Sequence, residues 1–83
     1  MDEKEFLTKL SKKIRHLRKL RRMSQEELAF KAGIDRSYMG NIERGESSPT
    51  IITVFKISRA LKVNMPQLLC FDKIILDEKL SNH

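Results

Sequence analysis

Residues 24–45 have the sequence SQEELAFKAGIDRSYMGNIERG, and this stretch decides the fold. Ser24 and Glu27 form a capping box, in which each side chain satisfies a backbone amide that the start of a helix leaves unpaired. Gly33 ends that helix, because glycine adopts the left-handed conformation without a steric penalty. Asp35 then caps the next helix. The stretch predicts two short helices joined by a three-residue turn, over about residues 25–32 and 36–44.

Two short helices with a glycine-led turn between them are typical of the helix-turn-helix motif, whose second helix enters the major groove of DNA. The motif is predicted to span about residues 24–45. Apolar side chains at helical spacing hold its two helices at a fixed angle, and these are Leu28, Ala29, Ile34, Met39 and Ile42. Any pair of packed helices can share this spacing. The residues on the outward face of the second helix must therefore distinguish a DNA-binding motif from an ordinary helix pair.

The outward face of the second helix carries the side chains expected to read base edges, which are Arg36, Ser37, Gly40 and Asn41. Arg36 stands at the N-terminal end, and its guanidinium can donate two hydrogen bonds to guanine O6 and N7. Ser37 is small enough for close approach, and Gly40 leaves space for a thymine methyl group. This face predicts direct base recognition.

A second set of residues is expected at the sugar–phosphate backbone, and it comprises Gln25, Tyr38, Arg44, Ser47, Ser48 and Thr50. Gln25 lies at a helix N-terminus, where its amide and the helix dipole both favour phosphate. Tyr38 can equally cap the core as a half-buried ring. Arg44 can equally complement the C-terminal dipole of its own helix.

The rest of the chain is also predicted to be helical, because only three glycines and two prolines interrupt its 83 residues. The additional helices cover about residues 3–21, 51–62 and 64–78. The first has an apolar stripe of Leu7, Leu10, Ile14 and Leu17, and the fourth has an inward set of Ile51, Val54, Phe55, Ser58 and Leu61. The prediction is a single all-α domain of five helices over residues 1–83.

Charge and composition limit the range of functions that this chain can have. The chain has a formal net charge of +6, and eight Lys and Arg residues lie between Glu5 and Glu26 with no acid among them. Like charges on one helix repel, so this stretch is either a solvated helix face or a surface that a polyanion would stabilise. Cys70 is the only cysteine, which excludes an internal disulfide, and we expect neither a metal nor another cofactor.

Other function classes lack support in the sequence. His16 and His83 are far apart and no catalytic motif is present, so we expect no enzyme. No apolar run approaches the length of a membrane span and no signal peptide opens the chain. These observations predict a cytoplasmic protein that does not enter a membrane.

The predicted last helix has more apolar surface than one stripe can hide, because it includes Met65, Leu68, Leu69, Cys70, Phe71, Ile74, Ile75 and Leu76. We expect it to be a dimerisation helix in which Phe71, Ile74 and Ile75 pack across a two-fold axis. The alternative is a helix wrapped more deeply into its own core. A dimer doubles the length of DNA that is recognised, with half-sites about 34 Å apart.

Several segments together resemble the Cro/CI-type repressor domain family, over roughly residues 10–69. These segments are MSQEELA at 23–29, YMGNIERG at 38–45 and SPT at 48–50. The resemblance implies a five-helix DNA-binding domain, usually dimeric. It also implies that Gln25 contacts phosphate, that Arg36, Ser37 and Asn41 face DNA, and that Arg18 pairs with Glu43. Independently, an unpaired Glu43 would repel phosphate, and an Arg18 partner would neutralise it; two separately solvated side chains are the alternative.

Within that family, the sequence is similar to the restriction–modification controller proteins. This similarity implies a homodimer that binds palindromic operators in double-stranded DNA, with two dimers on adjacent sites as one possible assembly. It implies both activation and repression of transcription, and it makes RNA polymerase a candidate partner. Antitoxins and small phage-type repressors share the same motifs and stay as alternatives.

Overall fold

A computed structural model describes residues 1–71, and five helices form this part of the chain. They are α1 (Glu3–Leu20), α2 (Gln25–Ala32), α3 (Arg36–Glu43), α4 (Ile51–Ala60) and α5 (Met65–Leu68). The described part has no strand, which agrees with the all-α prediction. None of its helices has the length and apolar character needed to cross a membrane.

The predicted capping box at the start of α2 is formed. The Ser24 hydroxyl accepts a hydrogen bond from the Glu27 amide at 3.0 Å, and the Glu27 carboxylate accepts one from the Ser24 amide at 3.0 Å. Gly33 ends α2 with a φ of 69°, in the left-handed region. Asp35 caps α3 by accepting a hydrogen bond from the Tyr38 amide. These local signals fix where both helices of the motif begin and end.

Replacing Ser24 with Ala should lower the free energy of unfolding by about 1 kcal/mol, because an N-cap is lost. Two hydrogen bonds with Ser24 hold the pKa of Glu27 below its ordinary value of 4.5. The bond to the Ser24 backbone has the larger effect and the bond to its side chain the smaller. The stabilisation is therefore present above pH 4.5 and is lost as pH falls through the lowered folded pKa. In the variant, the Glu27 pKa should rise partway towards 4.5.

Urea unfolding and an NMR titration of the Glu27 carboxyl group measure the two effects. Ser48→Ala, at an exposed serine outside the caps, is the control and should change neither quantity. An unchanged Glu27 pKa in Ser24→Ala would contradict this explanation.

The core is formed by side chains from all five helices, with α2 packed on both α3 and α4. Val54, Ile57 and Ser58 of α4 are buried, as is its C-cap Leu61, so the predicted inward set is wrong in two places. Ile51 is 66% exposed and Phe55 is 44% exposed. Spacings of three and four residues place the buried group on one side of α4, which leaves Phe55 at its edge. Ile51 is the first residue of α4 and lines a groove to which α1 also contributes residues.

Helix α5 is shorter than the predicted helix over 64–78. It ends at Leu68, with Leu69 as its C-cap. The Lys13 ammonium group of α1 donates a hydrogen bond to the Cys70 carbonyl, which therefore has a partner outside any helix. Residues 72–78 of the predicted segment, including Ile74 and Ile75, lie outside the described residues.

Two arginines, one within α1 and one at its C-cap, have structural roles. Arg15 donates to the Glu43 carbonyl at the end of α3, and Arg21 donates at 2.8 Å to the Leu61 carbonyl at the end of α4. The last carbonyls of a helix lack partners within that helix and carry partial negative charge. These arginines therefore fasten α1 to the C-terminal ends of α3 and α4.

Candidate nucleic-acid interface

A shallow hollow of about 240 Å³ lies over α3 and the start of α2. It is lined by Gln25, Arg36, Ser37, Gly40, Asn41 and Arg44, all of which the sequence predicted to contact DNA. The residues at 36, 37, 40, 41 and 44 share one face of α3 because of their helical spacing. The structure thus brings together all four predicted base-reading residues and two of the predicted backbone contacts.

Arg36 is the first residue of α3 and stands directly after its Asp35 cap. Its side chain is 72% exposed, and its Nε lies 3.6 Å from the carboxylate of Glu26 on α2. Exposed ion pairs contribute little to stability, so a guanine or a phosphate can replace Glu26 at small cost. The sequence pattern did not single out Glu26 as a partner of Arg36, although it does predict an acidic residue in the first turn of α2.

Gly40 lies on the predicted face of α3, but two neighbouring side chains cover it. It is buried, and a Cβ atom there would lie 3.1 Å from Nη1 of Arg44 and 3.5 Å from Oε1 of Gln25. The side chains of Arg44 and Gln25 therefore cover this position. Gly40 forms the floor of the hollow and lets these two longer side chains lie close to the helix.

Arg44 is held at the C-terminal edge of the hollow by two side chains. Its Nε donates to the Glu46 carboxylate at 3.1 Å, and its Nη2 donates to Oδ1 of Asn41. The arginine is more than half exposed, so it is available to a phosphate. The Glu46 contact was not predicted, because it depends on how the loop turns back after Gly45.

The predicted ion pair between Arg18 and Glu43 is formed beneath the hollow. The Arg18 Nε lies 2.9 Å from Oε2 of Glu43 and its Nη2 lies 3.0 Å from Oε1, which makes the pair bidentate. The side chain of Glu43 is only 2% exposed and that of Arg18 is 14% exposed. Gln25 Nε2 also donates to Oε1 of Glu43, at 3.4 Å. The pair therefore joins α1 to α3 and helps to orient Gln25.

The other predicted backbone contacts lie away from the hollow. Tyr38 is half-buried and packs against the core, as its alternative interpretation expected. The Thr50 hydroxyl caps α4 by accepting from the Thr53 amide at 3.2 Å. Ser48 lines an apolar groove beside α1, while Ser47 is half-buried. Within residues 1–71, no three His, Cys, Asp or Glu side chains cluster as metal ligands would.

Known proteins resemble this chain in both sequence and fold. The helix-turn-helix family model matches residues 14–68. Control protein C.SmaI of Serratia marcescens is 38% identical over 69 residues, covering 83% of this chain and 79% of that protein. The crystal structure of the restriction-modification controller C.AhdI from Aeromonas hydrophila superimposes with a TM-score of 0.73 at 39% identity, covering 75% of this chain and 94% of that one.

The controller protein C.Esp1396I has been solved as a tetramer in complex with its natural 35-base-pair operator. It superimposes with a TM-score of 0.71 at 34% identity and covers 77% of this chain and 88% of that one. These matches confirm the resemblance that the motifs at 23–29, 38–45 and 48–50 predicted.

Proposed function

This chain belongs to the helix-turn-helix family, and we propose that it is a sequence-specific transcription regulator that controls a restriction–modification system. One observation carries the proposal: five polar side chains suited to DNA, together with Gly40, line a single hollow over α3, the helix that such a motif inserts into the major groove, and the start of α2. The similarity to C.SmaI and C.AhdI supports the narrower role of a controller protein. The chain acts as a regulator and not as an enzyme, and its place of action is the cytoplasm.

In the proposed complex, α3 lies in the major groove with its N-terminal end deepest. Arg36 donates to guanine O6 and N7, while Ser37 and Asn41 contact neighbouring base edges. Gln25, at the N-terminus of α2, donates to a phosphate of the adjacent strand, and Arg44 contacts phosphate at the other end of α3. The phosphate contacts set the register, and Arg36 supplies most of the sequence preference.

The active species is proposed to be a homodimer on a palindromic operator, with α3 of each subunit entering successive major grooves about 34 Å apart. The proposed interface begins at Phe71 and continues through Ile74 and Ile75. Phe71 packs edge-on against Phe6 of α1, with ring centroids 5.4 Å apart, so the interface would use both rings. An adjacent groove of about 530 Å³, lined in part by Phe6, Ile51 and Leu69, extends this apolar surface.

Two dimers on adjacent sites are also proposed, in line with the tetramer that C.Esp1396I forms on its operator. Such an arrangement lets the occupancy of the second site rise with protein concentration. Activation at low dose and repression at high dose would then follow, with RNA polymerase as the partner that the bound dimer assists or blocks.

Selection of binding sites from random duplex DNA, followed by affinity measurements, tests the proposal. The selected site should be symmetric. Arg36→Ala should weaken binding to it by about 1–3 kcal/mol for each half-site, while binding to random DNA changes much less. Gln25→Ala should weaken both alike, because it removes a phosphate contact.

Arg59→Ala, which removes an exposed arginine on α4 outside the hollow, is the matched control and should leave the selectivity unchanged. Equal losses of selectivity for Arg36→Ala and Gln25→Ala would show that the base-reading residue is wrongly assigned. Failure to select any symmetric sequence would reject the proposed function.

A further inference from the structure

We propose that a groove between α2 and α4 is a docking site for an acidic amphipathic segment of a partner protein. The groove measures about 510 Å³, and two small side chains, Ala32 and Ala60, form its floor. Ile52 and Phe55 stand at its edge and are 60% and 44% exposed. Exposed apolar groups inside a polar rim are one form that protein interaction sites take.

The rim of the α2–α4 groove is basic. Lys31, Lys56 and Arg59 line it, and all three are exposed. Arg59 lies over the ring of Phe55, 5.7 Å from its centroid, while Lys31 attracts Glu27 one turn earlier on α2. Within residues 1–71, neither Lys56 nor Arg59 pairs with a carboxylate. Carboxylates flanking an apolar stripe would match this surface in both charge and shape.

DNA does not fit this groove as well as a peptide does. No residue of the groove lines the hollow on α3. Lys31 lies six positions beyond Gln25, which corresponds to about 9 Å along the axis of α2. A phosphate backbone would neutralise the cations but would not cover Ile52 and Phe55. An amphipathic segment does both, and for this reason the inference goes beyond DNA binding and does not depend on it.

A second copy of this chain fits less well for an electrostatic reason. In a two-fold contact the same patch occupies both sides of the interface. Lys56 and Arg59 of one copy would then face the same cations of the other, and juxtaposed like charges oppose association. The geometry therefore favours a partner that brings its own carboxylates.

The test uses two fluorescein-labelled peptides of identical Glu and Leu composition. In one, the leucines form a helical stripe flanked by glutamates; in the other, the order is scrambled. Fluorescence anisotropy should show the striped peptide binding about tenfold more tightly, because only it presents an apolar anchor. Backbone amide NMR shifts on adding it should cluster at Lys31, Ile52, Phe55, Lys56 and Arg59.

Phe55→Ala should weaken binding of the striped peptide about tenfold, because the apolar anchor is lost. The double variant Lys56→Glu with Arg59→Glu should weaken it by a similar factor, because two favourable charge contacts become repulsive. Lys12→Glu, at an exposed cation of α1, is the control and should have little effect. Circular dichroism verifies that each variant is folded.

Four results would overturn the proposal. Equal affinity for the two peptides would show that no apolar anchor is needed, and no binding of either would show that the groove does not take this kind of ligand. Amide shifts confined to the α3 hollow would show that the peptide only imitates DNA. A change in oligomeric state by sedimentation in the double variant would identify the groove as a contact between copies of this chain. None of these readouts depends on operator binding.

Discussion

Operator affinity is expected to fall roughly 10³- to 10⁵-fold when the salt concentration rises from about 50 to 200 mM, if the dimer contacts about six to ten phosphates. Each contacted phosphate releases condensed counterions when a protein group replaces them, and added salt makes that release less favourable. Gln25 at the start of α2 and Arg44 at the C-terminal end of α3, in both subunits, are the expected phosphate contacts nearest α3. The measurement is a fluorescence titration of the selected operator at several salt concentrations.

The slope of log affinity against log salt concentration gives the number of phosphates contacted. Arg44→Ala should make the slope shallower by about two for a dimer, because one cationic contact is lost in each subunit. Asp35→Asn, which keeps an N-cap and adds no phosphate contact, is a control that should leave the slope nearly unchanged. Affinity that is nearly independent of salt would contradict a DNA-binding role for the hollow.

Replacing Arg18 with Met is expected to lower the free energy of unfolding by about 3–5 kcal/mol. The reason is that the Glu43 carboxylate is 2% exposed and loses its bidentate partner. A buried charge without a partner is costly, whatever the pair itself contributes. Arg18 also donates to the Met23 carbonyl at 2.9 Å, and that contact is lost with it. Urea unfolding followed by circular dichroism measures the change.

The double variant Arg18→Met with Glu43→Met should recover most of that loss, because it leaves no buried charge behind. Lys19→Met, at the next and exposed position of α1, is the matched control and should change stability by less than about 0.5 kcal/mol. If Arg18→Met were no less stable than Lys19→Met, the pair would be a solvated surface contact after all.

The features that the sequence predicted well are those determined by neighbouring residues. Ser24, Gly33 and Asp35 each act on a backbone group within three residues, so the bounds of α2 and the start of α3 follow from local chemistry. The hollow also follows, because one helix face is fixed by spacing once α3 is known. The Arg18–Glu43 pair needed the family resemblance as well, since 25 positions separate its members.

The features that the sequence could not predict depend on distant parts of the chain. Helix α5 ends at Leu68, and just beyond it the Cys70 carbonyl binds Lys13, which lies 57 positions earlier. The basic stretch of α1 was interpreted as a solvated or DNA-binding surface, yet Arg15 and Arg21 bind the ends of α3 and α4. Gly40 is covered because Arg44 and Gln25 fold over it. Such contacts follow only from the packed arrangement of the helices.

The central claim is that Arg36 of each subunit recognises a guanine in the major groove, and a coupling measurement tests it most directly. Each guanine of the selected operator is replaced in turn by 7-deazaguanine, which lacks the N7 acceptor, and affinities are measured for the wild-type chain and Arg36→Ala. At one guanine in each half-site, the replacement should weaken binding of the wild-type chain and have no effect on binding of the variant. Replacements that weaken both proteins equally at every guanine would contradict the claim.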